Sequence, residues 1–244
     1  MLIERLPVRF INEGSIISGN LFIPKELEYP APGVLLFHGR GSSQQKQIPR
    51  AEFFSSQGIV CLTFDNRGRG ESEGDFQNLT LADGLKDALT AYDFLASRKE
   101  ANTKRLGILG ESFGGYLAAI VSSQRNVGSM VFSVPATYRN EWLSKSYAYI
   151  ESHRSEVTEF RESGKIDETF SLQAISKFTG SLLIISAEND TIVPKNVPEL
   201  YFNQARQSKE KKIATIIGAD HKLSKPEWRE EFNRLAAEWF VRTL

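Results

Sequence analysis

Ser112 is the residue of this chain best placed to do chemistry. It stands among Gly110, Gly114 and Gly115, after the apolar run Leu106 to Leu109 and before a helix-like segment from Tyr116. Glycines on both sides of one serine suit a strand that turns sharply into a helix. Such a turn strains the serine backbone and leaves little room for neighbouring side chains. It would lift the hydroxyl above a sheet edge and aim a helix N-terminus at it. A serine hydroxyl is a weak nucleophile near neutral pH, so it needs a positioned base, and the base needs a carboxylate to fix its tautomer. The chain offers three histidines, His38, His153 and His221. His221 lies in a loop between the last strand-like run and the final helix, which brings it to the same sheet edge as Ser112. His153 stands among Glu151, Ser152 and Arg154 and reads as a solvated helix residue. For the carboxylate, Asp190 follows the apolar run Leu182 to Ile185 and falls between Ser112 and His221 in sequence. Glu188 competes with it, as does Asp220, although the side chains of adjacent loop residues such as Asp220 and His221 usually diverge.

The elements that must position these groups follow from hydrophobic periodicity. Val8 to Ile11 and Ser15 to Ile23 alternate apolar and polar residues around Asn12-Glu13-Gly14, the pattern of an antiparallel hairpin. Val34 to Phe37, Ile59 to Phe64, Leu106 to Leu109, Val127 to Val134, Leu182 to Ile185 and Ile213 to Ile217 are short apolar runs, as expected for strands buried on both faces. Helical spacing separates them at Ile48 to Gln57, Leu79 to Leu95, Tyr116 to Gln124 and Val197 to Gln207, and a last helix starts at Pro226. Ser208 to Lys212, mixed in sign, reads as a solvated loop. Strands alternating with helices imply a mainly parallel sheet covered on both faces. Residues 136–178 interrupt this with polar, helix-prone sequence dotted with aromatics. The insertion falls between two sheet strands and is expected over their carboxyl ends, the edge where open α/β sheets bind ligands.

Thirty basic side chains balance thirty acidic ones. No Lys/Arg block suggests a nucleic-acid or membrane partner. Cys61, the single cysteine, lies in an apolar run and is expected to be a buried, inert thiol. The first residues lack the apolar core of a secretory signal, and no stretch is apolar enough to span a bilayer, so a cytoplasmic location is the expectation. The glycine-rich segment Asp65 to Gly74 fits neither a P-loop nor a dinucleotide fingerprint, and no H-E-x-x-H or C-x-x-C spacing occurs. Neither cofactor nor metal is expected.

Several segments, in order, resemble the α/β-hydrolase family. Gly110-Glu111-Ser112-Phe113-Gly114 is similar to its G-x-S-x-G nucleophile elbow. His38-Gly39-Arg40-Gly41 is similar to its H-G-x-G segment, Asp65 to Ser72 to D-x-R-G-x-G-x-S, and Ala187 to Pro194 to its acid loop. The resemblance implies an α/β-hydrolase fold: one domain over residues 1–244, with a mostly parallel eight-stranded sheet, helices on both faces and a small helical cap at about 136–178. It implies Ser112, Asp190 and His221 as catalytic residues in the family's chain order. The backbone N–H groups of Arg40 and Phe113 would form the oxyanion hole, and His38 would pin its loop. The Arg40 side chain either reaches solvent or stands at the site mouth. The Ser112 elbow sets aside haloalkane dehalogenases, which need aspartate there, and dienelactone hydrolases, which normally have cysteine. The activity implied is that of a serine hydrolase on a small-molecule carboxylic ester of small to medium size. Alternatives with the same chemistry are an acyl-CoA thioesterase or a serine peptidase; a large peptidase is not expected, because no propeller-like segment accompanies the domain. A non-catalytic ligand-binding protein of the same fold is the alternative from another class.

Overall fold

The computed structural model describes residues 1–163, 166 and 168–244. Strands β1 (Ile3–Asn12) and β2 (Ser15–Pro24) form the hairpin, closed at Glu13-Gly14. Then come β3 (Ala31–Phe37), α1 (Ile48–Ser56), β4 (Val60–Phe64), α2 (Leu81–Ala96), β5 (Ala101–Glu111), α3 (Phe113–Ser122) and β6 (Ser129–Ser133). Three short helices follow, α4 (Tyr147–Ser152), α5 (Arg154–Glu162) and α6 (Phe170–Ser176). The chain ends with β7 (Ser181–Ala187), α7 (Asn196–Gln204), β8 (Glu210–Ile216) and α8 (Pro226–Thr243). The strands form one eight-stranded sheet in the order β1-β2-β4-β3-β5-β6-β7-β8. Only β2 runs antiparallel to its neighbours; from β4 to β8 every pairing is parallel.

Alternation along the buried strands divides the core into two layers. Leu35 and Phe37 face one way with Leu62, Ile108 and Ile184, under α2, α3, α6 and α7. Val34 and Leu36 face the other way with Cys61, Leu109 and Leu183, under α1 and α8. Full burial of each such side chain contributes about 1.5–3 kcal/mol, which is why six apolar runs commit to a two-faced sheet. Of the insertion at 136–178, α6 packs against α3 and α7 and places Leu172 and Ile175 in the main core. Helices α4 and α5 lie over the sheet edge.

Several boundaries differ from the sequence expectation; β1 begins at Ile3 and β5 at Ala101, each five residues before the expected run. The segment expected as a loop at Ser208 to Lys212 is mostly strand, because β8 begins at Glu210. Strand β8 is a sheet edge, and charged residues suit an edge that must resist pairing with other chains. Helix α3 starts at Phe113, directly after the serine, three residues before Tyr116. Gly114 and Gly115 are helical residues chosen for close packing and do not form a loop.

Candidate active site

The elbow at Ser112 is built by contact. A Cβ on Gly110 would stand 2.5 Å from the Gly114 carbonyl oxygen, and one on Gly114 would stand 2.5 Å from the Phe37 oxygen. The start of α3 can therefore lie against the ends of β5 and β3 only where side chains are missing. Ser112 itself takes φ 52° and ψ −109°, a conformation disfavoured for L-residues that persists when surrounding structure over-determines it. The Ser112 N–H donates to the Ser133 carbonyl at 2.8 Å, and the Ser112 carbonyl accepts from Ala136 at 3.0 Å and Gly115 at 2.9 Å. The N–H of Phe113, the first of α3, has no carbonyl within its own helix to receive it.

The loops after β7 and β8 bring Asp190 and His221 together. His221 Nδ1 donates to Asp190 Oδ2 at 2.7 Å, while Asp190 Oδ1 accepts from the N–H groups of Ile192 and Val193 at 2.8 and 2.9 Å. The carboxylate is thus held by three donors, with its second oxygen left to the imidazole. His221 and Ser112 line one cleft. The two competing carboxylates are engaged elsewhere. Glu188 accepts from the Gly218 N–H at 2.8 Å and ties the two loops together. Asp220 accepts from the N–H groups of Lys222 and Ser224, and hydrogen bonding to the Ser224 side chain, followed by these backbone bonds, holds its carboxyl below its usual range. His153 caps α4 by bonding the Tyr149 carbonyl at 2.8 Å and stacks on the Tyr149 ring. It is half-buried against the cap and less solvated than its neighbours suggest.

The loop after β3 is pinned from below. His38 is 1% exposed; its Nδ1 donates to the Gly39 carbonyl at 2.8 Å and its Nε2 accepts from the Asn66 N–H at 3.1 Å. Accepting at Nε2 requires the neutral ring, and burial pulls the His38 pKa below its ordinary value. Gly39 stands beside Ser112, so the next N–H, that of Arg40, belongs to the loop bordering this serine. The glycine-rich segment supports this arrangement. Asp65 accepts from the Gln44 N–H at 2.7 Å, and Arg67 forms a buried pair with Asp87 at 2.7 Å. Gly68 and Gly70 there adopt positive φ as turn residues.

The cleft between this edge and the cap has a volume of about 560 Å³, within the range of small-molecule sites. The Arg40 side chain spans it, pairing with Glu151 of α4 at 3.2 Å and reaching the Tyr147 carbonyl. It stands at the mouth, which resolves the two options the sequence leaves open. Three further residues were not singled out by sequence. Glu111, inside the elbow motif, accepts from Gln47 at 3.0 Å and from buried Arg50 at 3.3 Å, joining the elbow to α1. Arg69 and Arg161 line the cleft from the glycine-rich loop and from α5. Their signal was weak, because an arginine in a polar segment reads as surface until its burial is known. Among the described residues no group of three His, Cys, Asp or Glu side chains is placed to hold a metal ion, and no helix is long and apolar enough to cross a membrane. Burial pushes the Cys61 thiol far above its usual range, which leaves it unreactive.

Comparison with known proteins agrees with this architecture. Residues 45–244 match the model of the prolyl oligopeptidase family. An uncharacterised protein of Mycobacterium tuberculosis is 24% identical over 200 residues, covering 82% of this chain and 67% of the relative. The quorum-quenching protein AidA of Acinetobacter baumannii is 30% identical over 135 residues, 54% of this chain and 44% of AidA. Among solved structures, Est1E of Butyrivibrio proteoclasticus, with ferulic acid bound, superimposes with a TM-score of 0.76 at 17% identity, covering 97% of this chain and 98% of Est1E. An esterase of Pyrococcus furiosus gives 0.77 at 21%, covering 99% and 92%. The chain belongs to the prolyl oligopeptidase family and is a hydrolase of the α/β-hydrolase fold.

Proposed function

We propose that this member of the prolyl oligopeptidase family is a serine hydrolase that cleaves carboxylic esters of small to medium size. One observation carries the reading: the 2.7 Å bond from His221 Nδ1 to Asp190, in the same cleft as a serine on a strained elbow. With its Nδ1 proton held by Asp190, the neutral ring presents a basic Nε2 to the cleft. Ser112 Oγ attacks the acyl carbon while His221 takes its proton, and the backbone N–H groups of Arg40 and Phe113 receive the negative charge that develops on the carbonyl oxygen. Each such donor lowers a barrier of this kind by about 3 kcal/mol. His221 then protonates the leaving alcohol, and water, deprotonated by the same ring, releases the acid from Ser112.

Short p-nitrophenyl esters test this reading with the wild type and Ser112→Ala, alongside fluorophosphonate labelling of the wild type. The expected results are a labelled Ser112 and a fall in turnover of at least about a hundredfold. A smaller fall refutes the nucleophile assignment. Parallel rates on matched thioesters and amides rank the acyl-CoA thioesterase and peptidase alternatives.

A further inference from the structure

The cleft is far more cationic than the chain. Arg40, Lys46, Arg69, Arg154, Arg161 and Lys222 line it, against the carboxylates of Glu111 and Glu151, although the whole sequence has no net charge. Both carboxylates are already committed. Glu111 pairs with Arg50, behind the elbow, and Glu151 pairs with Arg40 and Arg154. No carboxylate among the described residues forms an ion pair with Arg69, Arg161, Lys46 or Lys222.

Arg161 is the most telling of these. It is 5% exposed, and its guanidinium lies 5.0 Å from the centroid of the Tyr138 ring. Its Nε donates to the Thr137 carbonyl at 3.1 Å and its Nη1 to the Ile192 carbonyl at 3.3 Å. These neutral partners orient the fork without balancing its charge. The remaining nitrogen, Nη2, donates to no protein atom among the described residues. A cation withdrawn from water without a counter-charge is costly, and here the cost falls on a side chain lining the cleft that holds Ser112 and His221. Ile192 is also a donor to Asp190, so Arg161 abuts the acid loop itself. Arg69 repeats the pattern: its guanidinium lies 3.5 Å from the centroid of the Phe76 ring, and its buried Nε has no hydrogen-bond partner. Burial above all, opposed by Tyr147 and aided by the Arg40 charge, pulls the Arg69 pKa down.

We propose that Arg161 determines specificity by receiving an anionic group, carboxylate or phosphate, carried by the ester or thioester that Ser112 attacks. Arg69 and the unpaired lysines draw the same group into the cleft. This rests on the serine-hydrolase reading and names the class of its substrate. Arginine suits the role because its planar fork offers charge-assisted hydrogen bonds to an oxyanion, and a cleft lined by one sign of charge concentrates ligands of the other.

The test compares kcat/KM on charged and neutral partners with one scissile bond. One arm sets p-nitrophenyl monoesters of glutaric and adipic acid against their methyl-capped counterparts. The other sets acyl-CoA against the matching S-acyl pantetheine, which lacks the phosphates. The wild type is expected to favour the charged member of at least one pair by about tenfold or more, the weight of one charge-assisted hydrogen bond. That preference should shrink as salt rises. The responding arm identifies the source of the anion. In Arg161→Gln, which keeps an amide donor for the Thr137 carbonyl, the charged-to-neutral ratio should fall to near one, and Arg161→Lys should retain part of it. Equal rates within both pairs, or a ratio unchanged in Arg161→Gln, overturn the proposal and leave Arg161 as a strap for the cap. If fluorophosphonate fails to label Ser112, the hydrolase reading fails separately. Anion binding is then read from thermal shifts with glutarate and inorganic phosphate, and the lack of an Arg161-dependent shift overturns it.

Discussion

Replacing Asp190 by Asn changes one atom and should cost most of the activity. Asp190 Oδ1 accepts from two backbone N–H groups at 2.8 and 2.9 Å, and Oδ2 from His221 Nδ1 at 2.7 Å. In Asp190→Asn the amide oxygen must stay on the backbone donors, since an NH₂ there would face two N–H groups. The NH₂ then faces Nδ1 and can bond only to a ring that carries its proton on Nε2. That tautomer cannot take the Ser112 proton. The two backbone bonds and the side-chain volume persist, so stability should change by no more than about 1 kcal/mol. Activity should fall about ten-thousandfold, the loss seen when a triad base is held in the wrong tautomer, or about 5.4 kcal/mol of barrier at about 1.36 kcal/mol per decade. The measurement is kcat/KM on p-nitrophenyl butyrate, with urea unfolding of each variant. Glu188→Gln, which keeps an acceptor for the Gly218 N–H, is the control and should stay within about threefold. A loss below about tenfold in Asp190→Asn, at wild-type stability, would refute the claim that Asp190 sets the His221 tautomer.

Two further outcomes follow from packing and burial. His38 is neutral and buried, with a folded pKa depressed below its ordinary 6.5. The unfolded chain therefore binds the extra proton first, so the stability His38 contributes is complete above about pH 6.5 and is lost as pH falls below it. Thermal melts from pH 7.5 to 5 should show this acid-side slope in the wild type and a shallower one in His38→Gln; equal slopes would count against it. Gly114→Ala would press a methyl group against the Phe37 carbonyl, where Cβ would stand 2.5 Å from the oxygen. It should cost about 3 kcal/mol as overpacking against backbone, measured by urea unfolding, and lower activity by tilting the elbow. Wild-type stability would show that α3 shifts freely.

Local sequence was enough for features that depend on neighbours along the chain. The runs Val34 to Phe37 and Leu182 to Ile185 must be buried on both faces, and alternation with helices then makes the sheet parallel. Parallel strands end on one edge, so Ser112, the loop of Asp190 and the loop of His221 had to converge there. The glycines around Ser112 were legible for the same reason, since their small size serves contacts within one strand-turn-helix unit. Sequence located β8 less well, because an edge strand is half-solvated and its charges read as a loop.

Tertiary structure alone decided which groups pair. Three carboxylates lay near the end of β7 or beside His221, and only the fold shows that Asp190 takes the imidazole while Glu188 and Asp220 bond backbone N–H groups. The direction of Arg40 was settled by Glu151, more than a hundred residues away. The unbalanced charge on Arg161 could not be read from α5, a polar helix with arginine and glutamate on every turn. Hydrophobic pattern determines which surfaces meet. The partner of a charge depends on distances across those surfaces, and these exist only once the chain has folded.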